Sequence, residues 1–330
     1  MSMPIKMKPS EIKIFNAIER AFHSSKTFFI AGHLKPDGDT IGCGLALHSA
    51  LTRMGKSVEM YSRDPLPATL KSLKGSEQII FAEKTNKNYD CAIILECSGI
   101  ERMGDIIAAP QAKVIINIDH HAHYNNFGNI NFINPRASST AEIIYNMLSH
   151  FKHRFTIDEA EHLWAGLVTD TGMFQQTNTT PECLHVAAEL VKIGVKPNEM
   201  FQMIYSSKPL SSLNLLGLSL QTMQLAFGGA VAYIRLEQAM YKAANSDVTE
   251  AEDFINYTML VPGVKVGILF REENPNSIKV SFRSRSAYDV NAIARQFDGG
   301  GHKNAAGCTI AGSMNAVISQ VIAQLSLALS

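Results

Sequence analysis

Residues 28–44 read FFIAGHLKPDGDTIGCG. An apolar run of strand character passes through a Pro-Asp-Gly turn into a stretch of helical pattern. The same alternation continues outward. Apolar runs stand at 57–61 (SVEMY), 91–96 (CAIILE) and 114–119 (VIINID), with helical stretches such as 41–54 between them and an amphipathic helix over 10–25. Strands alternating with helices predict an α/β fold whose N-terminal part is a mostly parallel sheet flanked by helices. In such a sheet, ligands gather in the crevice beyond the carboxyl ends of the strands.

Helical pattern dominates from about 139 to 226. A second pattern then begins, with strands near 230–236, 263–270, 277–284 and 306–310, a helix near 289–297 and a last helix. This predicts a domain at 1–205, a linker at 206–217 within SSKPLSSLN and its surroundings, and a smaller C-terminal α/β domain at 218–330. The chain is uncharged from Asn304 onward, but Met314, Val317, Ile318, Val321, Ile322 and Leu325 recur at helical spacing with polar residues between them. That pattern predicts a core helix rather than a membrane span.

The 330 residues carry 30 Lys+Arg and 30 Asp+Glu, so the formal net charge is zero. A protein that grips long duplex DNA usually carries a basic excess, so that partner is excluded from the expectation, while short or small substrates stay open. Five cysteines without C-x-x-C spacing argue against a disulfide framework and fit a reduced cytoplasmic setting. The opening residues, MSMPIKMKPSEIKIF, show no secretory pattern, so no leader is expected.

Several segments carry chemistry-bearing residues. His33, Asp37 and Asp39 share one strand-end loop, where Gly38 lets a tight turn bring both carboxylates together; an ordinary Pro-Asp-Gly turn explains the same residues. Glu96 ends an apolar strand and is either a ligand or a solvated terminus. Asp119, His120 and His121 follow VIINI, a donor mixture that suits Mn, Zn or Fe, with Asp119 able to orient an imidazole. Asp170 precedes Gly172 in a helix-ending turn. In NPRASSTAEIIY, 134–145, Ser139 and Glu142 have capping-box spacing, and an exposed helix N-terminus beside Arg136 and Ser138 suits a phosphate. In the C-terminal part, Arg283 and Arg285 fall on one strand face, with Ser284 between them, and Gly299, Gly300, Gly301 and His302 form a loop that a ligand can approach closely; a solvated basic edge and a flexible loop are the plain alternatives.

The set resembles the DHH phosphoesterase family, in the branch with a C-terminal DHHA1 domain. H-x-x-P-D-G-D stands at 33–39, D-H-H at 119–121, D-T-G at 170–172 and G-G-G-H-x-x-A-A-G at 299–307. Within the family it is most similar to the stand-alone oligoribonuclease and pAp phosphatase type. RecJ-type members are larger, and membrane-bound cyclic-di-AMP phosphodiesterases carry transmembrane segments. The resemblance implies two divalent ions, Mn2+, one held by His33, Asp37 and Asp170 and the other by Asp39, His120 and Asp170, with Glu96 ligating or bridging. It implies that His121 contacts the scissile phosphate, that Asp119 supports the histidines, and that Arg283, Ser284, Arg285 and Gly299–His302 bind the substrate. It also implies a cytoplasmic hydrolase, a homodimer, acting on short RNA (to 5′-mononucleotides) and on 3′-phosphoadenosine-5′-phosphate, pAp (to AMP). Linear or cyclic dinucleotides such as pGpG or cyclic-di-AMP are the alternative substrates. One residue departs from the pattern: Glu96 stands where the family has Asp. A nucleotide-binding protein with a degenerate centre is the non-catalytic alternative, and Glu96 is the feature in its favour.

Overall fold

The computed structural model describes residues 8–104, 106, 111–122, 125–205, 209–285 and 288–329. The chain divides into two compact units, Met1–Ser207 and Lys208–Ser330.

The first unit opens with α1 (Pro9–Ser24), β1 (Thr27–Ala31), α2 (Gly38–Arg53), β2 (Ser57–Ser62), β3 (Ile80–Phe81), β4 (Tyr89–Leu95), β5 (Ala112–Asp119) and β6 (Ile130–Ile133). Four helices follow: α3 (Thr140–His150), α4 (Ile157–Asp170), α5 (Pro181–Ile193) and α6 (Pro197–Tyr205). The strands form one sheet in the order β3-β2-β1-β4-β5-β6, parallel throughout. The central strands are apolar on both faces because both faces are covered. Phe28, Ile30, Ile93, Ile116 and Ile118 join the core shared with the helices, while Phe29, Ala31, Ala92, Ile94 and Ile115 face a second cluster. The chain steps outward from β1 to β3, then returns to place β4 on the other side of β1. That reversal is the switch point at which an open sheet presents a crevice.

Helix α2 is buried along most of its length, including Gly42, Cys43 and Gly44. Its near neighbour is α4. A Cβ on Gly42 would lie 2.2 Å from the His162 carbonyl oxygen and 3.1 Å from the Gly166 nitrogen. Gly42→Ala is therefore expected to force α2 and α4 apart, lowering stability by about 1–3 kcal/mol or more. Urea unfolding would measure this, and an unchanged midpoint would contradict the packing.

The second unit contains α7 (Leu210–Leu220), β7 (Gln224–Ala226), β8 (Val231–Leu236), α8 (Gln238–Ala244), α9 (Ile255–Thr258), β9 (Val266–Asn274), β10 (Ser277–Ser284), α10 (Val290–Arg295), β11 (Gly300–His302), β12 (Ala305–Ala311) and α11 (Met314–Leu329). Its sheet runs β11-β12-β10-β9-β8-β7, antiparallel except for the β8–β9 pair. Val317, Val321 and Leu325 of α11 are buried against one face, as the uncharged C-terminal pattern predicts. Among the described residues, no helix is long and apolar enough to cross a membrane.

The stretch 206–217, expected as a linker, is helical from Leu210. Leu215 and Leu216 are buried in the second unit's core, so their helical spacing outweighs the turn-forming character of the preceding Ser-Lys-Pro residues. The short strands β3, β6, β7 and β11 were not among the predicted elements.

Candidate active site

Three neighbouring parallel strands end together, and each delivers a donor. His33 lies two residues beyond β1, Glu96 directly follows β4, and Asp119 closes β5 with His120 next in line. Helix ends supply the rest: Asp37 caps α2, Asp39 sits in its first turn, and Asp170 is the last residue of α4.

Glu96 has φ +57°, a left-handed conformation uncommon outside glycine. Its N–H still bonds the Ile118 carbonyl at 3.1 Å, so the chain leaves the ladder within one residue. Its carboxylate is buried, with Oε1 accepting the Thr140 hydroxyl. Strain of this kind gathers at functional sites.

Asp39 is fully buried. Its Oδ2 accepts from the Thr140 amide at 2.6 Å and its Oδ1 from the Ala141 amide at 2.9 Å. The N-terminus of α3 thus holds a carboxylate from the chain itself, which fits the positive end of a helix. This corrects one expectation. The N-terminus of α3 is buried and occupied by Asp39, so it is not an open phosphate seat. Ser138 is fully buried as well, and its hydroxyl donates to Glu142 at 2.6 Å, which removes it as a substrate contact. The capping box is half made: Ser139 accepts from the Glu142 amide, but the Glu142 carboxylate turns to Ser138. Arg136 remains exposed.

Two groups of donor atoms lie within 4.8 Å of one another: Asp39, His120 and Asp170, and Glu96, His120 and His121. His120 is common to both, with Nε2 3.5 Å from Glu96 Oε2 and 3.3 Å from Asp170 Oδ2. The first group is one of the triads that the family resemblance implies. His33 and Asp37 pair with each other at 3.6 Å. Among the described residues they do not join Asp170 in such a group.

The electrostatics express crowding. Burial, then repulsion from Glu96 and Asp170, pushes the Asp39 carboxyl well above its ordinary range. Burial raises Asp170 to about 7 against the pull of His120. Burial alone would lower His120, but its bond to Glu96 and the charges of Glu96, Asp170 and Asp39 carry it up to about 10. Burial also opposes the charge on Asp37, yet its His33 contact and the Thr40 amide hold it down to about 2. Clustered carboxylates around one imidazole are a donor set for divalent cations such as Mn, Zn or Fe.

Asp119 is buried, and its Oδ1 accepts from both Nδ1 and the amide of His121, at 2.7 and 3.0 Å. With Nδ1 so engaged, Nε2 is the nitrogen left for a substrate. Two contributors were missed in the sequence. Thr140 bonds two of the carboxylates. Asn178 donates to the carbonyls of Ser138 and Asp170, at 2.9 and 3.1 Å, and so braces the end of α4 against the start of α3. Both partnerships are long-range or depend on loop path, and no local pattern announces them.

In the second unit, Arg283 is in register with Ala305, which is in register with His302, so Arg283, Ser284 and Gly300–His302 share one end of the sheet. The His302 side chain lies outside the described residues. The glycines are not a loose loop. Gly300–His302 form an edge strand, and a Cβ on Gly299 would lie 2.3 Å from the Gly307 carbonyl oxygen. The guanidinium of Arg285 donates to the Val264 and Met259 carbonyls, and that of Arg283 to the Phe282 carbonyl. The Ser284 hydroxyl donates to Tyr288 O at 2.6 Å.

The model of the DHH family, N-terminal domain, matches residues 27–169, and that of the DHHA1 domain matches residues 230–327. A curated relative, the bifunctional oligoribonuclease and PAP phosphatase NrnA of Thermus thermophilus, is 33% identical over 86% of this chain and 84% of its own. The chain belongs to the DHH family. The NrnA protein of Bacillus subtilis is 27% identical over 86% of this chain and 89% of its own. The crystal structure of an exopolyphosphatase-related protein from Bacteroides fragilis superposes with a TM-score of 0.86 at 26% identity, covering 94% of this chain and 96% of that one. The DHH match spans β1 to α4 and so contains every donor from His33 to His121; Asp170 lies one residue beyond it.

Proposed function

We propose that this DHH protein hydrolyses phosphoester bonds in short RNA, releasing 5′-mononucleotides, and in pAp, releasing AMP, using two divalent cations, Mn2+ foremost. The carrying observation is the clustering of the Asp39, Asp170 and Glu96 carboxylates around His120, together with the His33–Asp37 pair. The names of the Thermus and Bacillus relatives, bifunctional oligoribonuclease and PAP phosphatase, support the substrate class. Asp39, His120 and Asp170 would hold one ion. Glu96, with His120 and His121 beside it, and the His33–Asp37 pair supply the donors for the other. Bound there, two cations would supply positive charge against the charge developing on the phosphoryl oxygens.

The chain's own groups do the rest. Asp119 holds His121 by its Nδ1 proton, which presents Nε2 to a phosphate oxygen. The amides of Thr140 and Ala141 keep Asp39 oriented within its buried site. Arg136, Arg283, Ser284, Arg285 and Gly299–His302 are proposed as substrate-binding residues. Zero net charge suits a short substrate with few phosphate contacts. Five buried free cysteines suit a reducing cytoplasm.

The test is a product-resolved time course on Mn2+-loaded protein, supplied separately with pAp, a short RNA, pGpG and cyclic-di-AMP. Mononucleotides from the RNA and AMP from pAp are expected. Turnover confined to cyclic-di-AMP, or none at all, would overturn the reading.

A further inference from the structure

We propose that Thr140 is the positioning residue that joins the two donor groups and fixes which oxygen Glu96 offers to a cation. The proposal rests on the two-cation reading above. Thr140 is fully buried at the first position of α3. It makes two bonds with two different carboxylates. Its amide donates to Asp39 Oδ2, a member of one donor group, and its hydroxyl donates to Glu96 Oε1, a member of the other. One rigid residue therefore touches both groups without being a ligand in either. Its β-branched side chain has few rotamers, so the hydroxyl stays where the helix start places it.

The consequence falls on Glu96. A glutamate has one more rotatable bond than the aspartate for which it stands in, and that freedom must be lost before it can serve as a ligand. The Thr140 hydroxyl engages Oε1 and leaves Oε2 toward the histidines, 3.5 Å from His120 Nε2 and 3.9 Å from His121 Nδ1. Glu96 is thereby presented through a single oxygen. An aspartate at position 96 would be one methylene shorter and would draw its carboxylate back from the hydroxyl. Glu96 and Thr140 form a functional pair, and the longer side chain is compensated by the hydroxyl that holds it.

The experiment measures Mn2+ binding to the full chain by calorimetry, with the electron spin resonance spectrum of the bound ions recorded in parallel. Thr140→Val is expected to weaken one site by about 10- to 100-fold, the range found when a ligand loses its supporting hydrogen bond. The spin-coupled signal of a close ion pair should fade with it. Thr140→Ser, which keeps the hydroxyl, should restore both. Glu96→Asp should weaken the same site alone, and adding Thr140→Val to it should cost little more, because the contact is already gone. Should the valine variant fail to fold, Thr140→Ala removes the hydroxyl without a new methyl group and takes its place in each comparison. Wild-type affinity in the variant lacking the hydroxyl, or full additivity with Glu96→Asp, would overturn the proposal. If the wild-type chain binds no Mn2+, the two-cation reading falls and takes this proposal with it.

Discussion

Replacing Asp170 with alanine is expected to lower turnover of both pAp and short RNA by about a thousandfold or more. A cation at a phosphoryl centre is worth several kcal/mol of charge stabilisation, and each 1.36 kcal/mol is tenfold in rate. Asp170 stands 3.3 Å from His120 and completes a donor group with Asp39. It ends α4 and caps nothing, so its loss should leave the helix intact. Stability should hold steady or rise, since burial and the neighbouring Glu96 and Asp37 already oppose its charge. The expected signature is a folded protein that binds fewer Mn2+ ions and does not turn over. Near-normal activity of Asp170→Ala would refute the assignment.

The largest expected effect on stability belongs to Glu159, at the opposite end of α4 from Asp170. This glutamate, in the first turn of α4, has no exposed surface in its side chain. It accepts from Ser49 at 2.9 Å, Arg53 at 3.0 Å, His153 at 2.9 Å and the Thr156 amide at 2.9 Å. Burial works to raise its pKa, but these four partners outweigh burial and bring it down to about 2. The sign follows from linkage. A carboxyl whose pKa is lower when folded contributes fully above its unfolded value, and the contribution fades as pH falls through the interval down to the folded value. Glu159 should therefore contribute roughly 3 kcal/mol at neutral pH, lost between about pH 4.5 and 2. Glu159→Gln leaves Arg53 and His153 facing a neutral amide, so a loss of about 3–5 kcal/mol is expected at pH 7. The gap between variant and wild type should close on acidification. Urea midpoints at pH 7 and pH 3 test this, and a gap independent of pH would contradict it.

Much of this site is legible in the sequence because strand ends are. The runs ending near Ala31, Glu96 and Asp119 are apolar and continuous, and a parallel sheet stacks their ends side by side. The identity of the donors follows from reading the next few residues. What surrounds them does not. Ser138 and Arg136 look alike as polar residues before a helix, yet one is fully buried and the other exposed. The difference is made by Asp39, about a hundred residues earlier, which occupies the helix start. Gly299–Gly301 read as a loop because glycine carries no strand signal. The β11 strand exists because β12 accepts it as an edge, and at Gly301, with its positive φ, a Cβ would lie 2.5 Å from the Ala305 carbonyl oxygen. The leucines of 210–220 fall within the helical pattern of the sequence, but the turn-forming residues before them suggest a linker, and packing into the second unit's core makes them part of that unit.

On the two-cation proposal, the contact between α2 and α4 also bears on which ions the site would accept. A Cβ on Gly166 would lie 2.5 Å from Asp39 Oδ1, and Asp170 follows one turn later on the same helix. One side of the gap between those two carboxylates is therefore a jaw that does not slide: Asp39 is clamped by two amides and pressed against the backbone of α4. Moving that jaw would require repacking the core of the first unit.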